Sequence, residues 1–156
     1  MRDKNVESIL FVCLGNICRS PLAEGIAREL LKTREEAIRI DSAGTGGWHI
    51  GEPPCERSID IAKKYGIDIS NQRARSVNPY DREMFDIVVA MDSSNYYDLI
   101  RIKGFSEDRV FKLGDFGFDG KDVPDPYFFE GNKGFDLVFD MIHRGVEEMF
   151  VKYGLK

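Results

Sequence analysis

Two kinds of apolar spacing divide this chain. Ile9-Leu10-Phe11-Val12 and Ile87-Val88-Val89-Ala90-Met91 are continuous runs of strand length, which predicts β-strands buried on both faces. Leu22, Ala23, Ile26, Ala27 and Leu30 instead recur at helical spacing behind Pro21, a residue suited to a helix's first turn. Phe135, Val138, Phe139, Ile142, Val146, Met149, Phe150 and Tyr153 likewise fall on one face of a final helix, a stripe read as core. Between these, Ala37-Ile38-Arg39-Ile40-Asp41 and Arg109-Val110-Phe111-Lys112-Leu113 predict two weaker strands. Pro53-Pro54 is expected to open a helix running to about Tyr65, with Gly66 as its C-cap. Asp92-Ser93-Ser94 offers caps for another helix, to about Ile102. Gly44-Thr45-Gly46-Gly47-Trp48 reads as a loop, and residues 114–134 as a longer Gly- and Pro-containing one of functional or mobile character.

Strands that alternate with helices imply an α/β fold, with a parallel sheet covered on both faces and ligands at the carboxyl ends of its strands. At 156 residues the chain suits a single domain, 1–156, large enough to need no disulfide staple. Its 42% hydrophobic and 31% charged residues are ordinary for a globular protein, and its net charge of −5 argues against nucleic acid or an anionic membrane as a partner. No apolar run is long enough to span a membrane or act as a signal sequence, so the cytoplasm is the expected location. An odd count of three cysteines does not describe a secreted disulfide framework.

Chemistry concentrates where the first strand meets the first helix, at Cys13-Leu14-Gly15-Asn16-Ile17-Cys18-Arg19-Ser20. Free backbone N–H groups and the positive end of a helix both favour an anion there. The same field favours thiolate over thiol, which makes Cys13 a candidate nucleophile. Arg19 contributes a planar fork able to form two parallel bonds to a phosphoryl group. Ser20 is placed to donate to the Cys13 sulfur, to cap the helix, or both. Asn16 lies inside a loop whose inward amides force unusual backbone angles, which Asn tolerates well.

Cys13 and Arg19 with five residues between them, followed by Ser20, resemble the signature loop of protein tyrosine phosphatases. The longer string from Val12 to Pro21, so near the N-terminus, resembles the low-molecular-weight family in particular. Ile40-Asp41-Ser42-Ala43-Gly44, Trp48, Met91-Asp92 with Ser94-Asn95, and Asp125-Pro126-Tyr127 follow in that family's order. The resemblance implies a four-stranded parallel sheet in the order 2-1-3-4. It implies a phosphatase that needs no cofactor and acts on tyrosine-phosphorylated proteins and aryl phosphates, with phosphate and other tetrahedral oxyanions as inhibitors.

It also implies roles by position. Cys13 is the nucleophile, the loop of Leu14, Gly15, Asn16, Ile17, Cys18 and Arg19 holds the phosphoryl group, and Asp125 is the general acid, although Asp-Pro is equally a common turn pair. Ser42 matches a residue that braces Asn16, while Gln72 stands at the apparent position of a second, histidine brace. Asp92 matches a residue that steadies Arg19, and a helix cap explains it equally well. Trp48, Tyr127 and Phe128 are expected to wall a slot for a flat ring, with Leu14 and Ile17 near its floor; each aromatic is also readable as ordinary packing.

Cys18 is read either as a partner that captures oxidised Cys13 in a disulfide or as a small buried filler, and Cys55 as packing. His49 and His143 are too isolated to suggest a metal site. Three other functions compete. Protein-arginine phosphatases of this family carry Thr where Ile17 stands, and arsenate reduction needs further redox cysteines. A catalytically inactive oxyanion-binding module is the third, against which the joint presence of Cys13, Arg19 and Asp125 argues.

Overall fold

A computed structural model describes residues 5–34, 37–131 and 133–155, the side chain of Phe128 excepted. Four strands, β1 (Ser8–Cys13), β2 (Arg39–Gly44), β3 (Ile87–Ala90) and β4 (Val110–Lys112), pair in parallel in the order β2-β1-β3-β4. This is the α/β sheet the sequence and its resemblance imply. β1 is central and wholly buried, which explains why its pattern is continuous rather than alternating.

The two faces of β1 feed different cores. Ile9, Phe11 and Cys13 join a cluster with Leu22, Ile26, Phe135, Ile142 and Phe150, covered by α1 (Arg19–Leu31), α2 (Glu56–Lys64) and α5 (Lys133–Lys152). Leu10 and Val12 face the other way, toward Val88, Leu99 and Phe105. That second face lies under the segment after β3. The short α3 (Asp81–Met84) precedes β3, and α4 (Ser93–Tyr97) follows it and widens into a π-helical turn, Asp98–Ile102.

α1 begins at Arg19 and holds Pro21 in its first turn as expected, where a helix has no internal use for proline's missing N–H, whereas other boundaries differ. Arg19 and Ser20 therefore belong to the helix and share its rigidity. Pro53 and Pro54 lie outside α2, whose N-cap is Cys55, and Gly66 takes a left-handed φ of 79° after its end. β4 ends at Lys112, and residues 114–134 hold a 3-10 turn at Pro126–Phe128 capped by Asp125. Among the described residues no helix is long and apolar enough to cross a membrane.

Candidate active site

Cys13 is the last residue of β1, paired with Gly44 at the end of β2. A Cβ on Gly44 would stand 2.7 Å from the Leu14 carbonyl oxygen, so only glycine lets the loop after Cys13 lie against β2. Thr45 N–H and Gly46 N–H then donate to the carbonyls of Cys13 and Leu14, both at 2.9 Å, and fix the loop's first turn. Asn16 occupies the left-handed region at φ 58°, as its residue type permits. Its backbone N–H points at the Cys13 sulfur, 3.3 Å away.

The Asn16 side chain is fully committed. Its amide donates to Ser20 Oγ at 2.8 Å and to Ser42 Oγ at 2.9 Å, and its oxygen accepts from Arg75 N–H at 3.0 Å. These bonds set the direction of two hydroxyls. Ser20 Oγ already accepts from Asn16, so its proton is available to Cys13 Sγ, 3.0 Å away. Ser42 Oγ likewise accepts from Asn16 and donates to Glu24 Oε1 at 2.6 Å. A continuous chain therefore runs from Glu24 through Ser42, Asn16 and Ser20 to the sulfur. Ser20, Asn16 and Ser42 meet here as the sequence suggests. Gln72 does not join them. Its amide donates to the Pro21 carbonyl at 3.1 Å, and its Oε1 is buried without a partner among the described residues.

Glu24 and Arg75 escaped the sequence reading. Glu24 lies one turn beyond Ser20 on α1 and is buried, and an acidic residue amid the apolar positions of that helix was the available signal. Burial pushes its carboxyl above the usual range, offset in part by the bonds from Ser42 and Arg28.

Arg19 is only 8% exposed. Its Nη1 donates to Asp92 Oδ2 at 2.7 Å and to the Val123 carbonyl at 3.0 Å, which leaves the Nε–H and Nη2–H edge of the fork without a partner among the described residues. Burial works against its charge, but Cys13, Asp92 and Asp125 outweigh it and hold the guanidinium more firmly protonated than usual. Asp92 plays both roles the sequence offered, since its other oxygen caps α4 through Asn95 N–H at 2.8 Å.

Cys13, Arg19 and Asp125 line one cavity of about 270 Å³, with Leu14, Gly15, Ile17, Cys18, Trp48, His49, Pro126 and Tyr127. Hollows of about 510 and 470 Å³ lie elsewhere, and none of the three lines either of them. Asp125 Oδ1 accepts from Tyr127 N–H at 2.9 Å, so the turn-capping reading of this carboxylate is correct as geometry, and the same turn holds it at the cavity. Trp48 and Tyr127 stand at the mouth, 72% and 54% exposed, and Tyr127 packs edge-on against Phe135. Leu14, expected near the floor, is 47% exposed and belongs to the rim; Ile17 is half-buried. Phe128's side chain lies outside the described residues. His49, read as isolated, also lines the cavity, its Nδ1 held 2.7 Å from Glu52 Oε2.

The thiols make a contact that the sequence does not signal. Cys18 Sγ is 2.8 Å from Cys55 Sγ, and Cys55 packs against the core as expected while also meeting this second thiol. All three cysteines are free. Among the described residues no cluster of His, Cys, Asp or Glu is placed to hold a metal ion.

A thiol at the tip of a central parallel strand, with one backbone amide directed at its sulfur and an arginine fork and a carboxylate lining the same cavity, is the arrangement of a phosphatase built on a cysteine-bearing loop. Residues 8–155 match the family model for low molecular weight phosphotyrosine protein phosphatase. The chain is 45% identical over 147 residues to the low molecular weight protein-tyrosine-phosphatase YfkJ of Bacillus subtilis strain 168, covering 91% of this chain and 92% of that protein. The crystal structure of YfkJ superposes with a TM-score of 0.85 over 97% of this chain and 96% of that one, at 41% identity. PtpA of Staphylococcus aureus strain MRSA252, also a low molecular weight protein-tyrosine-phosphatase, is 41% identical over 136 residues, 86% of this chain and 85% of its own. A Drosophila arginine phosphatase structure is similar at 31% identity, with a TM-score of 0.85 over 93% of this chain and 96% of that one. The chain belongs to the low molecular weight phosphotyrosine protein phosphatase family.

Proposed function

We propose that this enzyme hydrolyses phosphotyrosine in proteins, and aryl phosphates more generally, through a cysteinyl-phosphate formed on Cys13. The observation that carries the reading is the convergence on Cys13 Sγ of the Asn16 N–H and the Ser20 hydroxyl, inside a cavity that Arg19 and Asp125 also line.

In the first step Cys13 sulfur attacks phosphorus. The S–P bond forms as the P–O bond to the tyrosine breaks, and Asp125 gives its proton to the departing phenolate oxygen. The free Nε and Nη2 edge of Arg19 and the amides of residues 14–19 take the equatorial oxygens, whose charge spreads in the transition state. In the second step the Asp125 carboxylate takes a proton from water, the resulting hydroxide attacks phosphorus, and the S–P bond breaks. Cys13 leaves as a thiolate that the Ser20 proton stabilises, and phosphate departs. Trp48 and Tyr127 at the rim suit the flat ring of the ester, and Ile17 offers it an apolar surface. Phosphate and vanadate are expected to occupy the same loop as inhibitors.

Turnover of a phosphotyrosine peptide by the parent and the Cys13→Ser variant tests the reading. The variant is expected to lose activity by several orders of magnitude while it still binds vanadate. Residual activity within about tenfold of the parent would remove Cys13 from the mechanism.

A further inference from the structure

The chemistry above uses Cys13 alone and leaves two thiols in mutual contact beside it. We propose that Cys18 and Cys55 are a reversible oxidation site, closing a disulfide that leaves the nucleophile free. This rests on geometry independent of the phosphatase reading.

The two sulfurs stand 2.8 Å apart, and a disulfide bond of about 2.05 Å requires each to move by only a few tenths of an ångström. The segments that carry them are already clamped together. Cys55 N–H donates to the Ile17 carbonyl at 2.7 Å, and Ser58 Oγ donates to the Cys18 carbonyl at 3.1 Å. Cys18 caps α1 and Cys55 caps α2, so each sulfur sits at the fixed end of a helix rather than on a loose strand of chain. Bond formation therefore orders nothing that is not ordered already. Both residues are half-buried, within reach of a small oxidant.

The pair shares its protons unequally. Cys55 is lowered to about 6, first by the bond from Cys18 and further by Ser58 and Tyr127, against the opposing effect of burial. Cys18 is pushed up by its bond to Cys55, by burial and by the nearby Cys55, Cys13 and Asp125. Cys55 thiolate is thus the group that meets a peroxide. Its sulfur attacks one peroxide oxygen, the O–O bond breaks, and hydroxide leaves to become water. The Cys55 sulfenic acid is then attacked by Cys18 sulfur, which gives up its proton as the S–O bond breaks and a second water leaves. Two thiols are oxidised by two electrons in all, and one hydrogen peroxide is reduced to two waters.

A disulfide formed first between Cys13 and Cys18 reaches the same end. Cys55 thiolate attacks the Cys18 sulfur it already touches, and Cys13 departs as thiolate.

The test is mass spectrometry after brief treatment with hydrogen peroxide, with iodoacetamide to cap the thiols that remain. In the Cys13→Ser variant, a mass lower by about 2 Da is expected, reversed by dithiothreitol, with tryptic peptides ending at Arg19 and Arg57 joined. In the parent the same two peptides are expected to be joined through Cys18, with Cys13 alkylated. The inference is overturned if the Cys13→Ser variant gains oxygen without forming a link. It is equally overturned if the parent's disulfide joins Cys13 to Cys18 and leaves Cys55 alkylated. Neither readout depends on phosphatase activity.

Discussion

Asp125 holds two positions at once, capping the Pro126 turn and lining the Cys13 cavity, and only its leaving-group chemistry separates positioning from proton transfer. Asp125→Asn keeps an acceptor for Tyr127 N–H but has no proton to give. Phenyl and alkyl phosphates are expected to slow by about two to four orders of magnitude, and a nitrophenyl phosphate much less, because its phenolate leaves unaided. Equal losses across that series would assign Asp125 to positioning. Ile17 is the proposed determinant of substrate at the same scale. Its apolar side chain suits the carbon of an aryl ester, whereas phosphoarginine would bury guanidinium N–H groups there without a partner, at about 1–3 kcal/mol. A preference for phosphotyrosine of about tenfold to a hundredfold follows, and Ile17→Thr is expected to narrow or reverse it. The measurement is kcat/KM on matched phosphotyrosine and phosphoarginine peptides. An unmoved ratio would overturn the assignment from Ile17.

At the scale of elements, the loop after β1 is held from α1, and the far end of that hold is a buried carboxylate. Folding raises the Glu24 pKa, so its protonated form suits the folded state better than its ionised form does. Its stabilising contribution is therefore complete below the unfolded value of about 4.3 and is lost as pH rises through the folded value. Glu24→Gln keeps an oxygen for Ser42 and does not titrate. The Tm of the parent minus that of the variant is expected to fall as pH rises above the unfolded value; a constant or rising difference would overturn this. The sequence exposed one half of this arrangement and hid the other for a physical reason. Cys13, Asn16, Arg19 and Ser20 are neighbours in the chain, so strand, loop and helix signals all bear on them. Ser42 on β2 is legible only through the resemblance, while Arg75 bonds Asn16 from a loop beyond α2 and Glu24 on α1 reaches it through Ser42, meetings that no local pattern records. The family's histidine position misleads for the same reason. Gln72 follows in sequence order, but its amide turns to the Pro21 carbonyl. Nothing in residues 53–58 announces the thiol across from Cys55, so the sequence alone marks that residue as packing.

Across the whole molecule the site ties together distant parts of the chain. The sheet order was available once strands were seen to alternate with helices and the resemblance supplied their sequence, and that order sets the tip of β1 beside those of β2 and β3. The Val123 carbonyl that holds Arg19 is a main-chain group, which no residue type could have signalled. An oxyanion bound as proposed would contact the loop and Arg19, and Arg19 is tied to Asp92 after β3 and to Val123 in the long loop, so it should stabilise the fold as a unit. A ligand at about a hundred times its Kd adds about 2.7 kcal/mol. For a domain of this size that raises Tm by roughly 5–10 °C. The parent and Cys13→Ser are both expected to show such a rise with vanadate or phosphate at that ratio, because amides and guanidinium survive the substitution. Arg19→Ala is expected to lose most of it at the same ligand concentration, whatever its Tm without ligand. A rise of equal size in Arg19→Ala would mean that the anion binds elsewhere, and the Arg19 fork would then have no place in the site.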